Sequence, residues 1–146
     1  MVHSSAILYL SKMNHQEEHK TITDLRCYQT WMGTDGIARS VVKPNAEIEL
    51  DDAIANTKAV NDLYLDKKFP LLVDANNVKS MSREARKYHS VRGRSTNITA
   101  FAVIVKSPIS KVIGNFFFQF QKTGVPAKLF SDEESALKWL EKHKTQ

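Results

Sequence analysis

Apolar positions along this chain change period several times, and each change marks an element. Residues 27–32 and 37–42 are two β-prone runs separated by Gly33-Thr34-Asp35-Gly36, a turn with two glycines able to take positive φ. This pattern predicts a hairpin. Lys43-Pro44-Asn45 ends the second run, because proline cannot donate to a ladder. Helical spacing follows over 50–67, with Leu50, Ile54, Thr57, Asn61 and Tyr64 on one side, flanked by Ala53 and Val60. Asp51 and Asp52 suit the start of that helix, where the macrodipole favours negative charge. Residues 69–74 (Phe-Pro-Leu-Leu-Val-Asp) are continuously apolar up to the aspartate, as a central strand buried on both faces requires.

Ser82 is a good N-cap for a second helix over 83–92, and Gly93 suits its end. Residues 98–105 form the next apolar strand. Ser107-Pro108 opens a third helix that Gly124-Val125-Pro126 breaks, and 127–130 is a short strand. The last helix opens on Ser131-Asp132-Glu133-Glu134, which reads as a capping box, and buries Ala136, Leu137 and Leu140. The regular alternation after the hairpin predicts an α/β fold, a mixed and largely parallel sheet with right-handed crossovers and four helices crowded on one face. Residues 1–22 are polar and carry little periodicity after Leu10. They read as a flexible N-terminal arm, and 23–146 as a single domain.

Composition narrows the class. Of 146 residues, 42% are hydrophobic and 25% charged, ordinary values for a soluble globular chain. The longest apolar runs, 101–105 and 116–118, fall far short of the ~20 residues of a membrane span. No basic region precedes the short apolar stretch 6–10, so a signal peptide is not expected. Cys27 is the single cysteine, which excludes an internal disulfide and fits a reducing, cytoplasmic setting. Asn97-Ile98-Thr99 matches a glycosylation sequon that has no meaning without secretion. The net charge of +5 is concentrated: Lys79, Arg83, Arg86, Lys87, Arg92 and Arg94 stand against Glu84 alone. Such a segment attracts acidic protein surfaces, nucleic acid or phosphorylated groups, and a solvated helix face is the plain alternative.

Candidate chemistry is sparse. His15-Gln16-Glu17-Glu18-His19 fits the H-x-x-E-H pattern of inverted zinc proteases, but it lies in the arm and has no third ligand. No metal site or cofactor is expected. Cys27 falls in a predicted strand, where a packed inert thiol is usual, and neither G-x-S-x-G nor a glycine-rich phosphate loop is present. Asp74, at the carboxyl end of a central parallel strand, occupies the position where open α/β sheets place ligands. Its structural alternative is to accept backbone amides from the Asn76-Asn77 loop.

The segment from Asp74 to Arg86, together with Gly36, the strand 71–74 and Ser107-Pro108 followed by Ile113-Gly114-Asn115-Phe116-Phe117, resembles the STAS-type domains of anti-sigma-factor antagonists (the SpoIIAA-like fold). It more closely resembles a branch of uncharacterised bacterial proteins that is also similar to the lipid-binding CRAL-TRIO fold. The resemblance covers about residues 24–142. In the antagonists a strand ending in Asp leads to a D-S-S-G helix start, whose second serine is phosphorylated to switch partner binding. Here Ser82-Arg83-Glu84-Ala85 occupies that stretch, with Glu84 where the phosphorylated serine stands. A fixed carboxylate at a helix start substitutes in part for phosphate but does not switch.

In the predicted helix 109–121, Ile109, Val112, Ile113, Phe116, Phe117 and Phe120 share a core-facing side while Phe118 points nearly opposite. Phe118 is therefore a candidate for a subunit or partner contact. The expected function is non-enzymatic recognition of a protein partner, with a homodimer as a further expectation. The contact surface comprises Asp74, Ser80, Ser82, Arg83, Glu84 and Arg86, with Phe118 as a second patch. Buried arginines bonded to backbone carbonyls are the structural account of Arg83 and Arg86. Two rivals are a lipid or other apolar ligand between helices and sheet, and weak nucleic-acid binding through 79–94. The latter lacks stacking aromatics beyond Tyr88.

Overall fold

The computed structural model describes residues 21–91, 97–106 and 124–145. Within them the chain forms β1 (Thr23–Asp24), β2 (Tyr28–Met32), β3 (Ala38–Val42), β4 (Ala46–Ile48), α1 (Leu50–Asn61), β5 (Phe69–Asp74), β6 (Val78–Met81), α2 (Arg83–His89), β7 (Ile98–Ile104), β8 (Ala127–Phe130) and α3 (Glu133–Glu141). Six strands make one sheet in the order β1-β2-β3-β5-β7-β8. β1, β2 and β3 pair antiparallel, and β3, β5, β7 and β8 are parallel. The mixed, mostly parallel sheet is the one the alternation predicts. Three helices lie among the described residues. The expected helix over 109–121, and Phe118 on it, fall outside them.

The hairpin turn depends on both of its glycines, for different reasons. Gly36 takes φ +82°, where a side chain is strained. Gly33 does not take a positive φ, but the space for a Cβ is filled. A methyl there would sit 2.1 Å from Arg39 Nη1, whose guanidinium is held by Asp35 and the Ile37 carbonyl.

β5 and β7 carry apolar residues on both faces. On one face Leu71, Val73, Phe101 and Val103 pack with Ala53, Val60, Ala85 and Met81. On the other, Leu72, Ala100, Ala102 and Ile104 pack with Ala136 and Leu140 of α3. The expected crowding of all helices on one face is therefore corrected. Alternating side chains leave two apolar surfaces on a central strand, and each needs a cover. The alanines at 100 and 102 let α3 approach closely.

Helix 50–67 is shorter than expected and rotated. It ends at Asn61, and its buried residues are Asp52, Ala53, Asn56, Thr57 and Val60. Polar residues set this rotation. Thr30 Oγ1 donates to Asn56 Oδ1 at 2.5 Å and lies 2.9 Å from Ser40 Oγ, which accepts from Asn56 Nδ2 at 3.2 Å. These three residues bolt α1 to β2 and β3 through a fully bonded buried cluster. Leu50 and Ile54, on the side that helical spacing shares with Thr57, are 36% and 42% exposed.

The last helix also starts differently. Asp132 is its N-cap, accepting from Ser135 N at 2.7 Å, in place of the Ser131 capping box.

Candidate functional site

Outside the six-stranded sheet lies a feature that periodicity did not announce. β4 and β6 pair in parallel as a separate ribbon, with Ile48 opposite Met81. Each strand runs directly into a helix, β4 into α1 and β6 into α2. Ser82 N donates to Ile48 O at 2.9 Å, so the two helix starts are held side by side. The predicted contact surface is the β6 half of this arrangement.

Asp74 ends β5 half-buried, and it serves the loop. Its Oδ1 accepts from Asn76 N at 3.1 Å and Asn76 Nδ2 at 2.9 Å. Asn76 Oδ1 in turn accepts from Lys106 N at 2.7 Å, tying the loop to the end of β7. The structural account of Asp74 holds: its oxygens order a turn.

Ser82 is the N-cap of α2, accepting from Ala85 N at 3.1 Å. Arg86 is half-buried and donates from Nη1 to Met81 O at 2.6 Å, which is the carbonyl-pairing role. Arg83 does not share that role. It is exposed, as are Lys79, Glu84 and Lys87, while Ser80 is half-buried on β6. The surface thus divides into a framework of Asp74, Asn76, Ser82 and Arg86, and a displayed set of Lys79, Arg83, Glu84 and Lys87. Arg92 and Arg94 of the basic segment, like the His15–His19 motif, lie outside the described residues.

On the α1 side, a second charged cluster performs a structural task. Asp52 is buried, pairs with the Arg26 guanidinium through both oxygens, and accepts from Glu49 N at 2.8 Å to cap α1. The Arg26 hydrogen bonds hold the Asp52 carboxyl below its ordinary range, against a burial effect that alone would raise it. Arg26 Nη2 also donates to Glu47 O at 2.8 Å. Cys27 lies beside them with Sγ 3.7 Å from the same carbonyl, and burial pushes its thiol up. A buried thiol of raised pKa is a poor nucleophile near neutral pH.

Among the described residues no group of three or more His, Cys, Asp or Glu is placed to hold a metal ion, and no helix is long and apolar enough to cross a membrane. Sequence reasoning placed Asp52 at the helix start by its charge but missed Arg26 and the pairing between the two. The signal for Asp52 was its spacing from Glu49: an acid at the third helical position suits a reciprocal cap.

Comparison with known families places the chain. A family model described as a domain of unknown function (DUF7793) matches residues 30–144, from β2 to beyond the end of α3. The chain belongs to that family. Its match spans every element of the site except Arg26 and Cys27. No curated protein matches the chain.

Among solved structures, it is similar to an uncharacterized protein of the DUF3478 family with a SpoIIAA-like fold from Shewanella loihica PV-4. The identity is 18%, over 83% of this chain and 91% of that one, with a TM-score of 0.46. A protein of unknown function from Arthrobacter sp. FB24 is 32% identical over 76% of this chain and 96% of that one, with a TM-score of 0.31.

Proposed function

We propose that the chain is a non-enzymatic binding module that recognises a protein partner through the loop after β5, strand β6 and the first turns of α2. The observation that supports this reading is the division of labour on that surface. Asp74, Asn76, Ser82 and Arg86 are tied into the loop and helix start by hydrogen bonds of 2.6–3.1 Å, so Lys79, Arg83, Glu84 and Lys87 are displayed on a frame already in place. A pre-ordered surface loses little conformational entropy when a partner docks.

The finer fold reading belongs with this proposal: the domain is STAS-like, of bacterial and cytoplasmic type, and related to anti-sigma-factor antagonists. Under that reading Glu84 stands where the antagonists carry a phosphorylated serine, in the first turn of α2 and exposed to a partner. A fixed carboxylate there does not switch as a phosphorylated serine does, which leaves Ser80 and Ser82 as the serines of this surface open to modification.

The test is a nuclease-treated affinity capture from the native host, comparing wild type with Arg83→Glu/Lys87→Glu, both checked for folding by circular dichroism. These two residues are exposed, so their reversal leaves the framework intact. The reading expects a protein retained by wild type and lost by the variant. Equal recovery by both, or no enriched protein, contradicts it.

A further inference from the structure

The sheet face opposite α1 and α2 holds a buried tryptophan whose cover the described elements do not account for. Thr30 of β2 meets Asn56 of α1, so it points to the α1 side, and Trp31, next along the strand, points to the other. That far face carries α3. Among the described residues α3 packs on β5, β7 and β8, with Ala136 and Leu140 against Leu72, Ala100, Ala102 and Ile104. β2 lies two strands beyond β5, about 10 Å away at the usual strand spacing. Trp31 is nevertheless only 5% exposed.

Neighbours within a sheet flank a tryptophan ring without roofing it. Arg39 stands opposite Trp31 across the ladder, and its guanidinium is taken up by Asp35 and the Ile37 carbonyl. On the other side, extending the β1–β2 register by one pair sets the half-buried Ile22 opposite Trp31. A ring of this size at 5% exposure needs a further layer above it.

Connectivity selects that layer. Residues 92–96 are a short link from α2 into β7, three strands from β2. Residues 107–123 join β7 to β8, at the opposite edge of the sheet. The right-handed sense shared with the crossovers through α1 and α2 assigns that connection to their side, not to the face of Trp31. Residues 1–20 remain, and they join the sheet through Thr21 and Ile22, immediately beside Trp31. Their one apolar run is Ala6-Ile7-Leu8-Tyr9-Leu10. The 11 residues from 11 to 21 span up to about 36 Å, ample to return across β1, β2 and β3.

We infer that residues 1–20 fold back on the face of the sheet opposite α1 and α2, with the run 6–10 over Trp31. The arm that the sequence pattern reads as flexible is then a strap on the antiparallel half of the sheet. The back of β1–β3 is filled by the chain's own N-terminal segment and is not a surface for a partner. This inference does not depend on the binding-module reading.

Two measurements on the full chain test it. Trp139→Phe leaves Trp31 as the sole tryptophan. Acrylamide quenching compares that protein with one that also carries Leu8→Asp/Leu10→Asp, the fold of each checked by circular dichroism. The expected result is weak quenching and blue-shifted emission in the first. In the second, quenching rises toward that of the urea-unfolded chain. Equal quenching in two folded proteins overturns the inference.

A photo-crosslinking amino acid at position 8, in an otherwise unaltered chain, decides the matter even if the aspartates prevent folding. Intrachain adducts to peptides within 22–41 are expected. Adducts to α1 or α2 instead, or no intrachain adduct, overturn the inference. A dimer in sedimentation velocity whose adducts join only separate copies also overturns it, since a second copy then fills the face.

Discussion

Replacing Asp52 by Asn keeps the shape of the side chain and removes its charge, which isolates what the Arg26–Asp52 pair contributes to the start of α1. In the folded chain Asp52 is buried at 8% exposure, meets Arg26 through both oxygens and accepts Glu49 N at 2.8 Å. Arg26 is 63% exposed, so solvent screens the pair and the full cost of breaking a buried ion pair does not apply. The loss is one charged hydrogen-bond set and part of a cap, about 1.5–3 kcal/mol. For a chain of this size that corresponds to a fall in Tm of roughly 5–10 °C.

The sign of the pH dependence follows from the lowered carboxyl of Asp52. A folded pKa below the unfolded one contributes stability above about pH 4, the unfolded value, and the contribution is lost as pH falls through the folded value. The gap between wild type and Asp52→Asn in urea unfolding should therefore be complete at pH 7 and close progressively in acid below pH 4. A gap under about 0.5 kcal/mol at pH 7 would refute the assignment of Asp52 as the anchor of α1. A gap that does not change with pH would show that the charge is not what matters.

Three further outcomes are expected. Asn56→Ala leaves Thr30 and Ser40 with lost partners in a buried site and should cost about 2–3 kcal/mol in chemical denaturation, with Asn56→Asp no better at neutral pH. Gly36→Ala, at φ +82°, should cost about 1 kcal/mol by the same assay. Ser82→Ala should destabilise by about 1 kcal/mol and raise amide exchange in the first turn of α2, because Ala85 N loses its acceptor.

The elements legible in the sequence were those whose side chains repeat with one period. β5 and β7 stood out as continuous apolar runs because both of their faces are covered, and the hairpin was marked by Gly33 and Gly36. Ser82 was readable as a cap because a serine ahead of a helical run has few other uses. The β4–β6 ribbon was not legible: three- and four-residue strands pair through distant contacts that leave no period. The rotation of α1 misled for a related reason. Leu50 and Ile54 have the hydrophobicity of core residues, yet Arg26 at Asp52, and Thr30 with Ser40 at Asn56, turn the helix so that polar residues face inward. Those partners lie 16–26 residues away in sequence, beyond the reach of any local pattern. Of the candidate surface, the sequence located the segment from Asp74 to Arg86 but could not separate inward-bonded residues from displayed ones. That distinction depends on which carbonyl Arg86 meets.

The most direct test of the binding-module account places a photo-crosslinking amino acid at position 83 and, in a separate protein, at position 138 on the exposed face of α3 across the sheet. Both are irradiated in the native host. The account predicts one discrete crosslinked protein from position 83 and none from position 138. The same pattern from both positions, or no adduct at position 83, would contradict it.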